Sequence, residues 1–168
     1  MTTGKLQPNT NTFYFITFTC FEWISLFEIT DLYNYIYECF DHLELQKIYN
    51  CDYVIMPNHL HMLVYMANTE KTINKIIGES KRFMAYEIVN RLERLSRFDL
   101  LNALGQSVTQ HERRKKKKKK KKHSVFRPSE DIKEIMTEKF IRQKLNYMHM
   151  NPVSGQWKLV MEACRELS

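Results

Sequence analysis

Residues 48–66 read IYNCDYVIMPNHLHMLVYM: nine residues rich in aromatic and β-branched side chains, then Pro57 and Asn58, then eight more of the same kind. Two extended runs separated by two turn-forming residues predict a β-hairpin with strands at 48–56 and 59–66. Upstream, residues 11–20 (NTFYFITFTC) are almost continuously apolar, as a strand covered on both faces is, and they predict a central strand. Between these stretches Leu32, Tyr35, Ile36, Cys39, Phe40 and Leu43 recur at helical spacing, which predicts a helix capped by Thr30 or Asp31 and ending near Gln46.

Downstream, 72–95 predicts a second helix, with Ile73, Ile76, Ile77, Phe83, Met84 and Ile88 on its buried side. Residues 98–122 lack periodicity and end in two arginines and eight lysines, which predicts a mobile basic insertion at about 98–122. Val125 and Phe126 can supply a short fourth strand. Pro128, Ser129, Glu130 and Asp131 open a third helix, which stops near Asn151 because Pro152 disfavours helical geometry at the residue before it.

The order strand, helix, strand, strand, helix, strand predicts an α+β fold, the ferredoxin-like split βαβ sandwich. Its antiparallel sheet carries helices on one face, and one further C-terminal helix is left over. On that helix Ile132, Met136, Phe140, Tyr147 and Met150 fall on one side, with Ile141, Leu145 and Met148 roughly opposite. A helix apolar on two sides wants two neighbours, such as its own sheet and a second protomer.

The 168 residues, 43% hydrophobic, suit a single domain spanning 1–168 with its own core, and 27% charge with 12% aromatic content is not that of a disordered chain. No run approaches the roughly 18–20 apolar residues of a membrane-spanning helix. The net charge of +7 would suggest a polyanionic partner, yet residues 113–122 alone contribute +10. Without them 16 basic residues face 19 acidic ones, a net of −3, so overall charge does not argue for nucleic acid. Cys20, Cys39, Cys51 and Cys164 show no CxxC spacing, and the first residues lack a secretory signal pattern. A reducing cytoplasmic setting is expected.

Two groups of residues carry chemistry. His59 and His61 flank Leu60 at the start of a strand, so alternation sends both imidazoles to one face, where they could ligate one metal ion. Three readings are open on that spacing: a metal pair, two surface histidines beside a turn, and a zinc site completed by Cys51. Tyr147 and Asn151 are four residues apart near a helix end and share a face, so a phenol and an amide oxygen can approach one point. A tyrosine in an apolar stripe can equally be a core residue.

Residues 51–64 (CDYVIMPNHLHMLV) and 144–153 (KLNYMHMNPV), in this order and separation, resemble the single-tyrosine HUH transposases, a family that includes transposase A of small insertion sequences and the REP-associated tyrosine transposases. The similarity runs from about Phe13 to Val160. It implies a metal-dependent enzyme that cuts and rejoins single-stranded DNA, with Tyr147 as nucleophile, His59 and His61 as metal ligands, and Asn151 as third ligand. The implied cofactor is Mg2+ or Mn2+, and the implied intermediate is a 5′-phosphotyrosine with a free 3′-hydroxyl. The implied partners are single-stranded or hairpin DNA and a second copy of the chain, since some members work as homodimers in which the tyrosine helix completes the partner's site. Lys75, Lys81 and Arg82 on the second helix are candidates for phosphate contacts. The pattern is left after Val153, where Ser154 stands in place of a basic residue, and at the lysine run. The rival expectation is a non-catalytic nucleic-acid-binding protein derived from such a transposase; a replication nickase with the same chemistry is a third.

Overall fold

A computed structural model of the chain describes residues 11–69, 71–106, 123–127 and 132–152. The elements are β1 (Thr12–Thr19), a 3-10 turn (Phe21–Trp23), α1 (Leu26–Ile29), α2 (Tyr33–Leu45), β2 (Ile48–Met56), β3 (His59–Met66), α3 (Ile73–Arg94), α4 (Phe98–Gln106), β4 (Ile132–Ile135) and α5 (Glu138–Met150). The strands form one sheet in the order β2-β3-β1-β4, antiparallel throughout. That is the α+β, ferredoxin-like arrangement, in which β1 and β2 are split by β3.

Alternation along β1 and β3 divides the sheet into two faces. Tyr14, Ile16 and Phe18 of β1 and Leu60, Met62, Val64 and Met66 of β3 face α2 and α3 and form the main core. Burying side chains such as Phe18, Phe27 and Leu60 stabilises the fold by roughly 1.5–3 kcal/mol each. The opposite face carries Phe15 and Leu63, which pack with Ile135 and Met148 in a smaller cluster beneath α5. The extra helix thus lies across the sheet from α2 and α3. Its sheet-facing side is the one bearing Ile141, Leu145 and Met148, while Met150 of the other stripe is exposed.

The hairpin contains a feature that strict alternation does not predict. Asn50 pairs with Val64 but Asp52 pairs with Leu63, so Cys51 is the extra residue of a β-bulge. The bulge transfers Asp52 from the main-core face to the α5 face, where the Nε2–H of His149 donates to Asp52 Oδ2 at 2.7 Å. This pair ties the last turn of α5 to β2.

The expectations need five corrections. The fourth strand is Ile132–Ile135, paired with β1, whereas Phe126 makes only an isolated bridge to Cys20. The third predicted helix therefore starts at Glu138, with the Thr137 hydroxyl accepting from Phe140 N–H; residues 128–131 lie outside those described. Phe98–Gln106, expected to be aperiodic, is a helix that buries Leu101 and Leu104 against the core, while 107–122 and the lysine run lie outside the described residues. Phe83 is half exposed rather than buried, and the N-cap of α2 is Leu32, since the Thr30 hydroxyl donates to the Leu26 carbonyl. Among the described residues no helix is long and apolar enough to cross a membrane.

Candidate active site

The α5 face of the sheet holds an open pocket of about 390 Å³, lined by Phe15, Thr17, Thr19, Trp23, His59, His61, Lys133, Lys144, Tyr147 and Asn151. Each side chain arrives there for a local reason. Thr17 and Thr19 pair directly with His61 and His59 across β1 and β3, so all four point to the same face. Lys133 comes from β4 opposite Phe15. Lys144, Tyr147 and Asn151 occur at spacings of three and four, so one side of α5 and its C-cap presents all three to the pocket.

The two imidazoles are nearly buried, 4% and 5% exposed, with ring centroids 4.9 Å apart. His59 Nδ1–H donates to Asn58 Oδ1 at 2.7 Å, which leaves Nε2 as a lone-pair donor; Nδ1 of His61 meets the Thr17 hydroxyl at 2.9 Å. Partners at Nδ1 fix ring orientation and direct Nε2 inward, the arrangement that metal-ligating histidines need. Asn151 Nδ2 donates to His59 Nε2 at 2.9 Å, and a half-turn of that amide would offer its oxygen instead. Among the described residues no group of three His, Cys, Asp or Glu comes together, and the Asn151 amide beside His59 Nε2 could supply a further oxygen ligand. Two imidazoles and an amide form a donor set that suits a divalent ion with further positions open. Cys51 sits at the bulge, three residues before the partner of His61, and does not line the pocket, which removes the zinc alternative.

Tyr147 is 52% exposed, with its ring edge-on to His61 at a centroid separation of 5.3 Å. It is a pocket residue, not a core one. Lys144 Nζ lies 5.5 Å from the centroid of the Tyr147 ring and 4.6 Å from that of Phe15. Burial, and secondarily the charge of Lys133, holds the Lys144 pKa below the usual lysine value. The structure does not bring Lys75, Lys81 and Arg82 to this site. They lie on α3, across the sheet, and Lys81 Nζ is 5.0 Å from the centroid of the core Phe18 ring.

Sequence reasoning missed Lys133, Lys144, Thr17, Asn58 and Trp23. Lys144, three residues before Tyr147, was visible as a helix neighbour. Thr17 and Lys133 enter only through strand register, which the sequence does not print.

Burial lowers His59 to about 4; burial, then His59 and Lys144, lower His61 to about 3. Unfolded histidines protonate near their ordinary pKa of about 6.5, so between that pH and about 4 the unfolded chain binds more protons than the folded one. Stability of the metal-free protein should therefore fall as pH drops through this window. Thermal unfolding in chelator from pH 8 to pH 4 should show a declining midpoint, with a shallower decline for His61→Gln; a flat wild-type profile contradicts the burial of neutral imidazoles.

No family model matches the chain, and no curated protein matches it. Among solved structures, a REP-associated tyrosine transposase bound to a REP hairpin is similar over 94% of this chain and 76% of its own, with 14% identity and a TM-score of 0.52. A putative transposase from Deinococcus radiodurans R1 is similar over 90% of this chain and 97% of its own, with 13% identity and a TM-score of 0.45. The chain has the fold of the first of these.

Proposed function

We propose that this protein is a cytoplasmic, metal-dependent transposase that cleaves and rejoins single-stranded DNA through a 5′-phosphotyrosine, and that it recognises hairpin-bearing ends. One observation carries the reading: a half-exposed phenol, two inward-facing neutral imidazoles and an amide share one pocket of one chain. The hairpin preference is carried over from the structural neighbour, whose structure holds a REP hairpin.

A phosphodiester repels nucleophiles with its own negative charge. A divalent cation, Mg2+ or Mn2+, held by His59, His61 and Asn151 would neutralise charge on the non-bridging oxygens. The chain's own groups do the rest. Asn58 and Thr17 hold the imidazoles in register. Tyr147 Oη bonds to phosphorus as the bond to the 3′ oxygen breaks; the phenolic proton leaves to solvent on the open side, and the departing oxygen takes one up as a 3′-hydroxyl. The tyrosyl phosphodiester conserves the bond energy, so attack by a 3′-hydroxyl rejoins DNA and releases Tyr147. Nothing in this scheme requires a second copy for phenol and imidazoles to meet. The expected homodimer belongs to the same proposal, with exposed Met136 and Met150 as apolar surface available to it. Lys75, Lys81 and Arg82, across the sheet, would serve DNA away from the reacting strand.

The test is a labelled hairpin oligonucleotide with randomised single-stranded flanks, incubated with Mg2+ or Mn2+. A denaturation-resistant protein–DNA band is expected; its absence with both metals contradicts the proposal. Lys144 supplies positive charge beside both the phenol and the phosphate, so Lys144→Ala should slow adduct formation about a hundredfold, comparable to loss of one electrostatic donor. Lys144→Arg should recover part of that loss in single-turnover kinetics, and an unchanged alanine rate would exclude the lysine from the reaction.

A further inference from the structure

We infer that Trp23 is a stacking platform for a nucleobase of the single strand that enters the pocket, an assignment that rests on the DNA-cleaving reading of that pocket. Four observations point to it. First, Trp23 is 53% exposed while lining the same cavity as His59, His61 and Tyr147. Burying an indole would stabilise the fold, so packing does not explain its display.

Second, the turn that presents it is strained. Glu22 (φ 48°) and Trp23 (φ 60°) are consecutive non-glycine residues in the left-handed region, a conformation that costs free energy at each and persists only where surroundings impose it. Third, the imposing group is identifiable. Asn58, 2% exposed, donates from Nδ2 to the Trp23 carbonyl at 2.8 Å, while its Oδ1 accepts from His59 Nδ1–H at 2.7 Å. One buried amide therefore holds both the main chain that carries the indole and an imidazole of the proposed metal site. The indole stands edge-on to His59, with ring centroids 5.7 Å apart.

Fourth, the surroundings match a nucleotide. The Arg127 guanidinium lies 5.6 Å from the indole centroid, and its backbone is anchored by the Arg127 N–H bond to the Thr19 carbonyl. Lys133 and Lys144 line the same cavity. A half-exposed indole with one cation over its ring and two more lining the same cavity suits a base stacked next to a phosphodiester, and stacking of this kind tolerates any base.

The chain has two tryptophans, so Trp157→Phe leaves Trp23 as the only one. In chelator, titrating that variant with a 12-mer oligothymidylate should quench indole emission saturably, with the same midpoint as the anisotropy of the labelled oligonucleotide. Trp23→Ala should raise the midpoint about five- to a hundredfold, and Trp23→Phe should stay near wild type. Unquenched emission at saturating oligonucleotide, or an unchanged midpoint for the alanine variant, overturns the platform. Covalent adduct is scored separately with the hairpin oligonucleotide. Quenching without adduct supports stacking and removes the nuclease; an adduct formed by Trp23→Ala at wild-type half-saturation keeps the nuclease and removes the platform.

Discussion

Replacing Tyr147 by phenylalanine is expected to abolish the covalent protein–DNA adduct while leaving fold and oligonucleotide binding intact. The substitution removes one oxygen from a ring that is half exposed and packed edge-on against His61 and Phe15. The ring contacts survive, and since Tyr147 is not buried, stability should change by less than about 0.5 kcal/mol. Loss of the nucleophile leaves no group from which the tyrosyl ester can form, so the band should vanish rather than weaken. Gel analysis of the denatured reaction, with anisotropy and thermal unfolding on the same preparations, reads all three properties. Persistence of the adduct in Tyr147→Phe would remove this residue from the role.

The second large effect concerns the imidazoles. His61→Gln keeps a polar side chain of similar length beside Thr17 but replaces the imidazole that its stacking on Phe15 and its bond to Thr17 hold facing inward. If the cation contributes several kcal/mol of charge stabilisation, losing one of its ligands should slow adduct formation by about a thousandfold. Chelation of the wild-type protein should stop the reaction altogether, and Mn2+ or Mg2+ should restore it. Binding of the oligonucleotide should survive both treatments, since Lys133, Lys144 and Arg127 remain. Metal-independent cleavage, or a His61→Gln rate equal to wild type, contradicts the assignment. A wild-type chain that binds DNA with strong salt dependence but forms no adduct under any metal would instead be a binding protein.

Much of the fold was legible because its central elements declare themselves locally. β1, β2 and β3 are dense in β-branched and aromatic residues, Pro57 and Asn58 mark the hairpin, and α2 and α3 carry unbroken helical stripes. The edge strand was not. Residues 132–135 (IKEI) follow a proline and acidic residues that resemble a helix start, and become a strand by pairing with Phe13, Tyr14, Phe15 and Ile16, a partnership formed across more than 100 residues. The helix at Phe98–Gln106 was obscured by the charged tract after it, although Leu101 and Leu104 already had the spacing of a buried face.

At the site, strand alternation foretold that His59 and His61 share a face, and helical spacing that Tyr147 and Asn151 do. Their convergence was not contained in either pattern. It depends on α5 crossing the sheet opposite α2 and α3, on Met148 seating that helix against Phe15 and Leu63, and on the Cys51 bulge turning Asp52 toward His149. Each is a tertiary fact with no short-range signature.

The position of the covalent bond decides whether Tyr147 is the nucleophile. Wild-type adduct formed with the hairpin oligonucleotide is digested with nuclease and trypsin, and the peptides are sequenced by mass spectrometry. A nucleotide attached through its 5′ phosphate to Tyr147 is expected within the tryptic peptide 145–158. A nucleotide on any other residue, or one joined through its 3′ phosphate, would contradict it.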